Sequence, residues 1–138
     1  MKESFIIDAC VMIAFLSDEE GATYVERILS DAQQRKSKLF MHSINLLEVY
    51  YGIYREDGPE MAEMILGKIS KLPIKLIDTI KENVFREAGR LKATYKISLA
   101  DSIVLAEALI KKALLVTADH HEFDILEKKE RIRFSWIR

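Results

Sequence analysis

Apolar positions along this chain fall into two alternating patterns. Short apolar β-rich runs lie at 4–7, 39–42, 74–77 and 114–117, with a last one at 133–137, and longer stretches with helical spacing separate them. The early runs are too uniformly apolar for a half-exposed sheet, which predicts a parallel sheet covered on both faces. Ser17-Asp18 followed by Glu19 and Glu20 reads as the start of a helix reaching about Gln34. A helix opened by Ser43 spans "SINLLEVYYGIY" and is broken by "EDGP", whose Gly58-Pro59 pair starts the next, to about Lys71. Asp78 and Thr79 open a helix to about Tyr95, with Thr79 and Glu82 in capping-box spacing, and Ser98 opens another to about Lys112. A short helix follows Asp119. No repeat, low-complexity segment or linker interrupts the chain, so residues 1–138 are expected to form a single domain. The expected fold is α/β: a three-layer αβα sandwich around a mostly parallel sheet of about five strands.

Four carboxylates stand out against this pattern. Asp8 interrupts the otherwise apolar "FIIDACVMIAFL", directly after the first strand. Asp119 lies two residues past the fourth, in "LLVTADHHEFD", Glu48 in the second turn of the helix after the second strand, and Asp101 in the first turn of "ISLADSIVLAEAL". In open parallel sheets ligands bind outside the carboxyl ends of the strands, and all four belong to that edge. Glu48 sits in "INLLEVYYGI", apolar on nearly every side, with Gly52 leaving space at i+4, and the helix after Asp101 is apolar as well. Each has a plainer explanation: Asp101 completes Ser98-x-x-Asp101 as half of a capping box, Asp119 with Glu122 caps the last helix, Glu48 faces solvent, and Asp8 is a turn residue. The chain has 22 acidic residues, so some coincidence is expected, but that all four plain explanations hold together is much less expected than that any one does. Grouped carboxylates repel strongly where the dielectric is low, and either take up protons or bind a cation. Hard oxygen donors without a His or Cys cluster favour Mg²⁺ or Mn²⁺ over Zn²⁺, and such an ion typically works on phosphates.

Composition narrows the setting. Hydrophobic residues make up 49% of 138, enough for a core, and no stretch approaches the roughly 18 unbroken apolar residues of a membrane helix. "MKESFIID" lacks a signal peptide's cleavage site, and the single cysteine, Cys10, cannot form an internal disulfide, so a reducing cytoplasm is expected. A formal net charge of −1 neither advertises nor excludes a nucleic-acid partner.

The order and context of "IIDACVMIAFL", "HSINLLEVYYGI", "ISLADSIVLAEAL" and "LLVTADHHEFDIL" resemble the PIN domain and, within it, the VapC-type toxins of prokaryotic toxin–antitoxin pairs, over essentially the whole chain. The resemblance implies a Mg²⁺- or Mn²⁺-dependent endoribonuclease that hydrolyses RNA phosphodiesters with a metal-activated water and leaves 5′-phosphate and 3′-hydroxyl ends. It maps metal ligands onto Asp8, Glu48, Asp101 and Asp119, makes Thr117 the hydroxyl that holds the site or its water, and offers Asp124 as a fifth acid. It further implies a homodimer silenced by a cognate antitoxin, with tRNA, rRNA or mRNA as substrate. The groove for the antitoxin is expected at the Tyr-rich helix and "GPEMAEMILGKI", with Met61, Met64, Ile65 and Leu66, although core packing explains those residues equally. Ala9-Cys10 departs from the hydroxyl or amide that such chains often carry after the first Asp. Cys10 reads as a small buried residue, not a nucleophile.

Arg86, Arg90, Lys92 and Lys96 on one helix are candidate phosphate contacts. His120 and His121 read as surface residues, His42 as structural, and Tyr50, Tyr51 and Tyr54 as core or dimer-interface residues before base-stacking ones. The alternative function is a catalytically silent PIN-like scaffold that binds RNA or protein. Phospho-acceptor receivers fit poorly, because they need an acidic pair near the first strand and a lysine after a late one, where this chain has Ile7-Asp8 and "VTAD". Dehalogenase-like phosphatases fit poorly too, because Cys10 stands where they need a second Asp. DNA-directed 5′-nucleases of related architecture are normally larger.

Overall fold

The computed structural model describes residues 2–138. Its elements run β1 (Glu3–Ile7), α1 (Ala9–Leu16), α2 (Ala22–Gln33), β2 (Ser37–His42), α3 (Ser43–Asp57), α4 (Pro59–Ile69), β3 (Lys75–Ile77), α5 (Glu82–Thr94), α6 (Leu99–Lys111), β4 (Leu114–Thr117), α7 (His120–Lys129) and β5 (Arg133–Trp136). The sheet has the order β3-β2-β1-β4-β5, and every pairing is parallel. Strand order reverses between β1 and β4, so their carboxyl ends, which carry Asp8 and Thr117, flank the topological switch point.

Alternation along the strands builds two cores. Ile6 and Leu115 face a layer of α5, α6 and α7, where Leu91, Val104, Leu105 and Phe123 are fully buried. Ile7, Met41 and Val116 face the opposite layer, packing on Val11 of α1, Val25 of α2, Val49 of α3 and Ile69 of α4. Burial on both faces explains the unbroken apolar runs. No helix among the described residues is long and apolar enough to cross a membrane.

The strands fall where the pattern places them, but three helix boundaries differ. The apolar stretch after Asp8 is a separate helix, α1, that the sequence reading does not resolve. The acidic run at 17–20 closes that helix instead of opening α2: the Ser17 N–H returns to Ile13 O, and Asp18 adopts φ +51°. The helix α2 starts only after Gly21, at φ +97°, where a Cβ would come 2.7 Å from the Ile137 carbonyl oxygen. At the other correction, Asp78 and Thr79 do not open α5, and the Thr79–Glu82 capping box is not formed. The helix begins at Glu82, and the Thr79 carbonyl lies 3.2 Å from Nε2 of His42. His42, not Ser43, caps α3, its Nδ1 accepting from Ile44 N at 3.0 Å. That confirms a structural role for His42.

Candidate active site at the carboxyl edge of the sheet

Asp8 is the fixed point. It is 4% exposed, and both its oxygens are used. Oδ1 caps α1 by accepting from Val11 N at 2.9 Å, and Oδ2 accepts from Thr117 Oγ1 at 2.6 Å. The wholly buried Thr117 hydroxyl in turn accepts from Asp119 N at 3.2 Å, so one side chain ties the ends of β1 and β4 together. Asp119 caps α7 through Oδ1, which accepts from Glu122 N at 3.1 Å. Asp101 stands in the first turn of α6, whose cap Ser98 accepts from Asp101 N at 3.0 Å. The capping explanations for Asp119 and Asp101 therefore hold alongside their place at the site. Asp8, Asp101 and Asp119 all sit at helix N-termini, where the backbone dipole favours negative charge.

Glu48 is half-buried on α3 and takes one hydrogen bond, from Asn45 Nδ2 to Oε1 at 3.0 Å. The expectation that α3 is buried all round does not hold: Leu47, Tyr51 and Tyr54 are 53%, 45% and 48% exposed. It holds for α6, where every residue from Ser102 to Ala108 is buried.

The charges register one another. Burial pushes the Asp8 carboxyl up to about 6 against the pull of the Thr117 and Val11 hydrogen bonds, and the charges of Asp119 and Glu48 add to the rise. Asp101 is pushed to about 7, first by burial and then by Asp8, Glu48 and Asp119, with the Ser98 hydroxyl opposing. No three His, Cys, Asp or Glu side chains among the described residues converge closely enough to form a finished metal cage. The donor set is nonetheless all hard oxygen, desolvated and mutually repelling, which suits a Mg²⁺-like cation better than a soft one.

Other candidates lie elsewhere. Asp124 is exposed and bonds His120 Nδ1 at 2.9 Å, while the His120 ring stacks on Trp136 at 3.9 Å. The half-buried Cys10 thiol is pushed up to about 11, chiefly by burial and then by Asp8, which makes it a poor nucleophile. Arg86 bonds Glu82 at 2.6 Å, and Arg90 bonds both Glu87 and Glu130, so neither is a free phosphate contact.

Sequence reasoning missed Asn45, which is wholly buried and leaves Oδ1 without a partner. Its signal was an amide at i−3 from Glu48 in an apolar run. It also missed Glu107, the only charge in "IVLAEAL", 4% exposed and 3.8 Å from His42.

A family profile described as the PIN domain matches residues 5–129. The chain belongs to the PIN domain family. No curated protein matches its sequence significantly. Among solved structures, a chain of the DNA-bound VapBC2 complex from Rickettsia felis superposes with a TM-score of 0.75 at 16% identity, over 96% of this chain and 98% of that one. DNA-bound VapBC from Salmonella typhimurium gives 0.73 at 21% identity, over the full length of both. Mycobacterium tuberculosis VapC20, a sarcin–ricin loop cleaving toxin, gives 0.58 at 10% identity, over 79% of this chain and 84% of that one. At these identities the likeness establishes a shared fold, in which Asp8 follows β1 and Asp119 follows β4, the two strands at the switch point.

Proposed function

We propose that this PIN domain is a Mg²⁺- or Mn²⁺-dependent endoribonuclease, the toxin of a VapBC-type toxin–antitoxin pair. The observation that carries the reading is the set of Asp8, Glu48, Asp101 and Asp119 at the β1/β4 switch point, with Asp8 and Asp101 raised by burial and by their neighbours' charge. Those four residues would hold the ion. When bound, it supplies Lewis acidity that makes water a nucleophile near neutral pH and stabilises charge on the phosphate oxygens. The rest of the work belongs to the chain. The Thr117 hydroxyl orients both neighbours, donating to Asp8 Oδ2 and accepting from the Asp119 backbone N–H. Asn45 holds Glu48 by one oxygen. The expected products are 5′-phosphate and 3′-hydroxyl ends, and the substrate is a tRNA, rRNA or mRNA.

Two apolar surfaces support the proposed partners. Leu47, Tyr51 and Tyr54 of α3 are exposed with Met61 and Met64 of α4, which suits an antitoxin segment laid across the helix pair. On α5 and the start of α6, Phe85 and Leu99 are 69% and 64% exposed beside Ile80, a face suited to homodimer contact.

The test is cleavage of total RNA by antitoxin-free protein in Mn²⁺, Mg²⁺ or EDTA, with Asp8→Asn in parallel. Metal-dependent cuts bearing 5′-phosphates, absent from the variant, are expected. No cleavage in any metal, or equal cleavage by the variant, would leave the silent scaffold as the better reading.

A further inference from the structure

The carboxylates create a difficulty for the substrate: an edge rich in negative charge repels the RNA strand it is to cut. A cleft of about 630 Å³ beside them, lined by Tyr95, Lys96, Ile97, His121, Glu122 and Lys129, bears on this. It runs from the end of α5 to the first turns of α7, and both borders lead into the acidic site. Ile97 precedes Ser98, the cap that receives Asp101 N, and Glu122 donates its N–H to Asp119.

Its charge is of the opposite sign to that of the site. Lys96 and Lys129 are exposed, and neither is in an ion pair among the described residues, although Glu122 lines the same cleft. The neighbouring arginine behaves otherwise, since Arg90 is consumed by Glu87 and Glu130. That network also stiffens the wall: Tyr95 donates its hydroxyl to Glu130 Oε2 at 2.5 Å, anchoring the segment that presents Lys96. The rings of Tyr95 and His121 and the exposed side chain of Ile125 offer surface against which bases can stack.

We infer that this cleft is a subsite for the RNA strand on one side of the scissile bond, with Lys96 and Lys129 contacting its phosphodiesters. It takes single-stranded RNA because stacking requires unpaired bases. The inference rests on the ribonuclease reading, but binding can be tested without cleavage.

The experiment compares the wild type with Lys96→Glu/Lys129→Glu for binding of a labelled single-stranded RNA oligonucleotide across a salt series in EDTA, and for cleavage in Mn²⁺. Affinity should fall about tenfold or more, and the dependence of log K on log salt should flatten by about 1.4, the effect of two single-strand phosphate contacts. In cleavage KM should rise while kcat and Mn²⁺ affinity hold. The milder single variants Lys96→Ala and Lys129→Ala should each flatten the slope by about half as much, a readout that loss of fold would not reproduce. Unchanged affinity and slope in the double variant would overturn the subsite. Binding that depends on both lysines without cleavage in any metal would support the cleft and sink the ribonuclease reading, while no binding by the wild type would overturn both.

Discussion

Asp8 and Glu48 serve the same proposed ion from opposite kinds of seat. Asp8 is almost wholly buried, capped onto α1 and bonded to Thr117, so its two oxygens are fixed by the backbone of α1 and the end of β4. Glu48 projects from a helix with an exposed apolar flank and takes a single hydrogen bond. The fold has placed the first where a charge is most costly and left the second able to adjust. On the proposed reading, the immobile carboxylate would define the position of the ion and the less constrained one would complete its shell.

The sharpest way to break that contrast is Asp8→Asn. The amide keeps the size and can still accept from Val11, while Thr117 can rotate its hydroxyl to accept from the new NH₂. Cleavage should fall by roughly 10³. Metal-free stability should nevertheless rise at neutral pH. A carboxyl moved from 3.8 to about 6 by the fold weakens it by up to about 3 kcal/mol above that pH. Denaturant titrations in EDTA would show it, and a destabilised variant would mean that Asp8 is a structural charge instead of a site held under strain.

The same displacement fixes a pH dependence. Asp8 and Asp101 have folded values of about 6 and about 7 against 3.8 unfolded, so between those limits the native state binds more protons than the unfolded chain. Their contribution to stability is therefore greatest near pH 4 and is lost as pH rises through 6 and 7. Glu130, held low by Arg90, works in the opposite sense at more acid pH, so the comparison belongs between about pH 5 and 7.5. In EDTA the midpoint should fall across that window, and Mn²⁺ should flatten the fall. A wild-type curve parallel to that of Asp8→Asn/Asp101→Asn would remove the argument.

How much of this was legible in the sequence is best seen in α6, α3 and α1. The apolar run of α6 is buried as its composition implies, and Ser98 caps it, so Asp101 was placed correctly from pattern alone. The apolar stretch of α3 nevertheless keeps Leu47, Tyr51 and Tyr54 in solvent, so an apolar composition does not by itself place a side chain in the core. The end of β1 at Ile7 was legible because Asp8 interrupts the apolar stretch, but α1 was not, since eight residues that are apolar on every side carry no helical periodicity. The acidic run after it has the composition of a helix start, yet the positive φ angles of Asp18 and Gly21 make it a turn. The order of the elements put Asp8 and Asp119 after β1 and β4, where the structure has them. No pattern could show that Arg90 is taken up by Glu87 and Glu130, or that Asn45 supports Glu48, because those pairings depend on side-chain placement in the folded chain.

Thr117→Val tests the rigid half of the comparison. It keeps the shape but strips Asp8 Oδ2 and Asp119 N of their partner, and hydrogen bonds to charged groups contribute about 1.5–3 kcal/mol. A loss of that order is expected, with cleavage about tenfold lower. Because the Thr117 hydroxyl is the stronger of the two hydrogen bonds that pull the Asp8 carboxyl down, the acid limb of the pH–rate profile should move to higher pH, and Thr117→Ser should restore it. An unmoved limb would assign Thr117 to packing alone.

The smallest effect is expected on the adjustable side. Asn45→Leu removes the one donor to Glu48 and with it a buried carbonyl oxygen that has no partner. Leaving such an atom unpaired costs about 1–3 kcal/mol, so stability should hold or rise slightly. Mn²⁺ affinity, read by calorimetry, should fall by roughly tenfold, the lower bound for losing an outer hydrogen bond to a metal ligand. Weaker metal binding without weaker folding would show that the amide is kept for the site. Equal affinity would mean that Glu48 finds its place unaided, and that Asp8 alone sets the geometry of the edge.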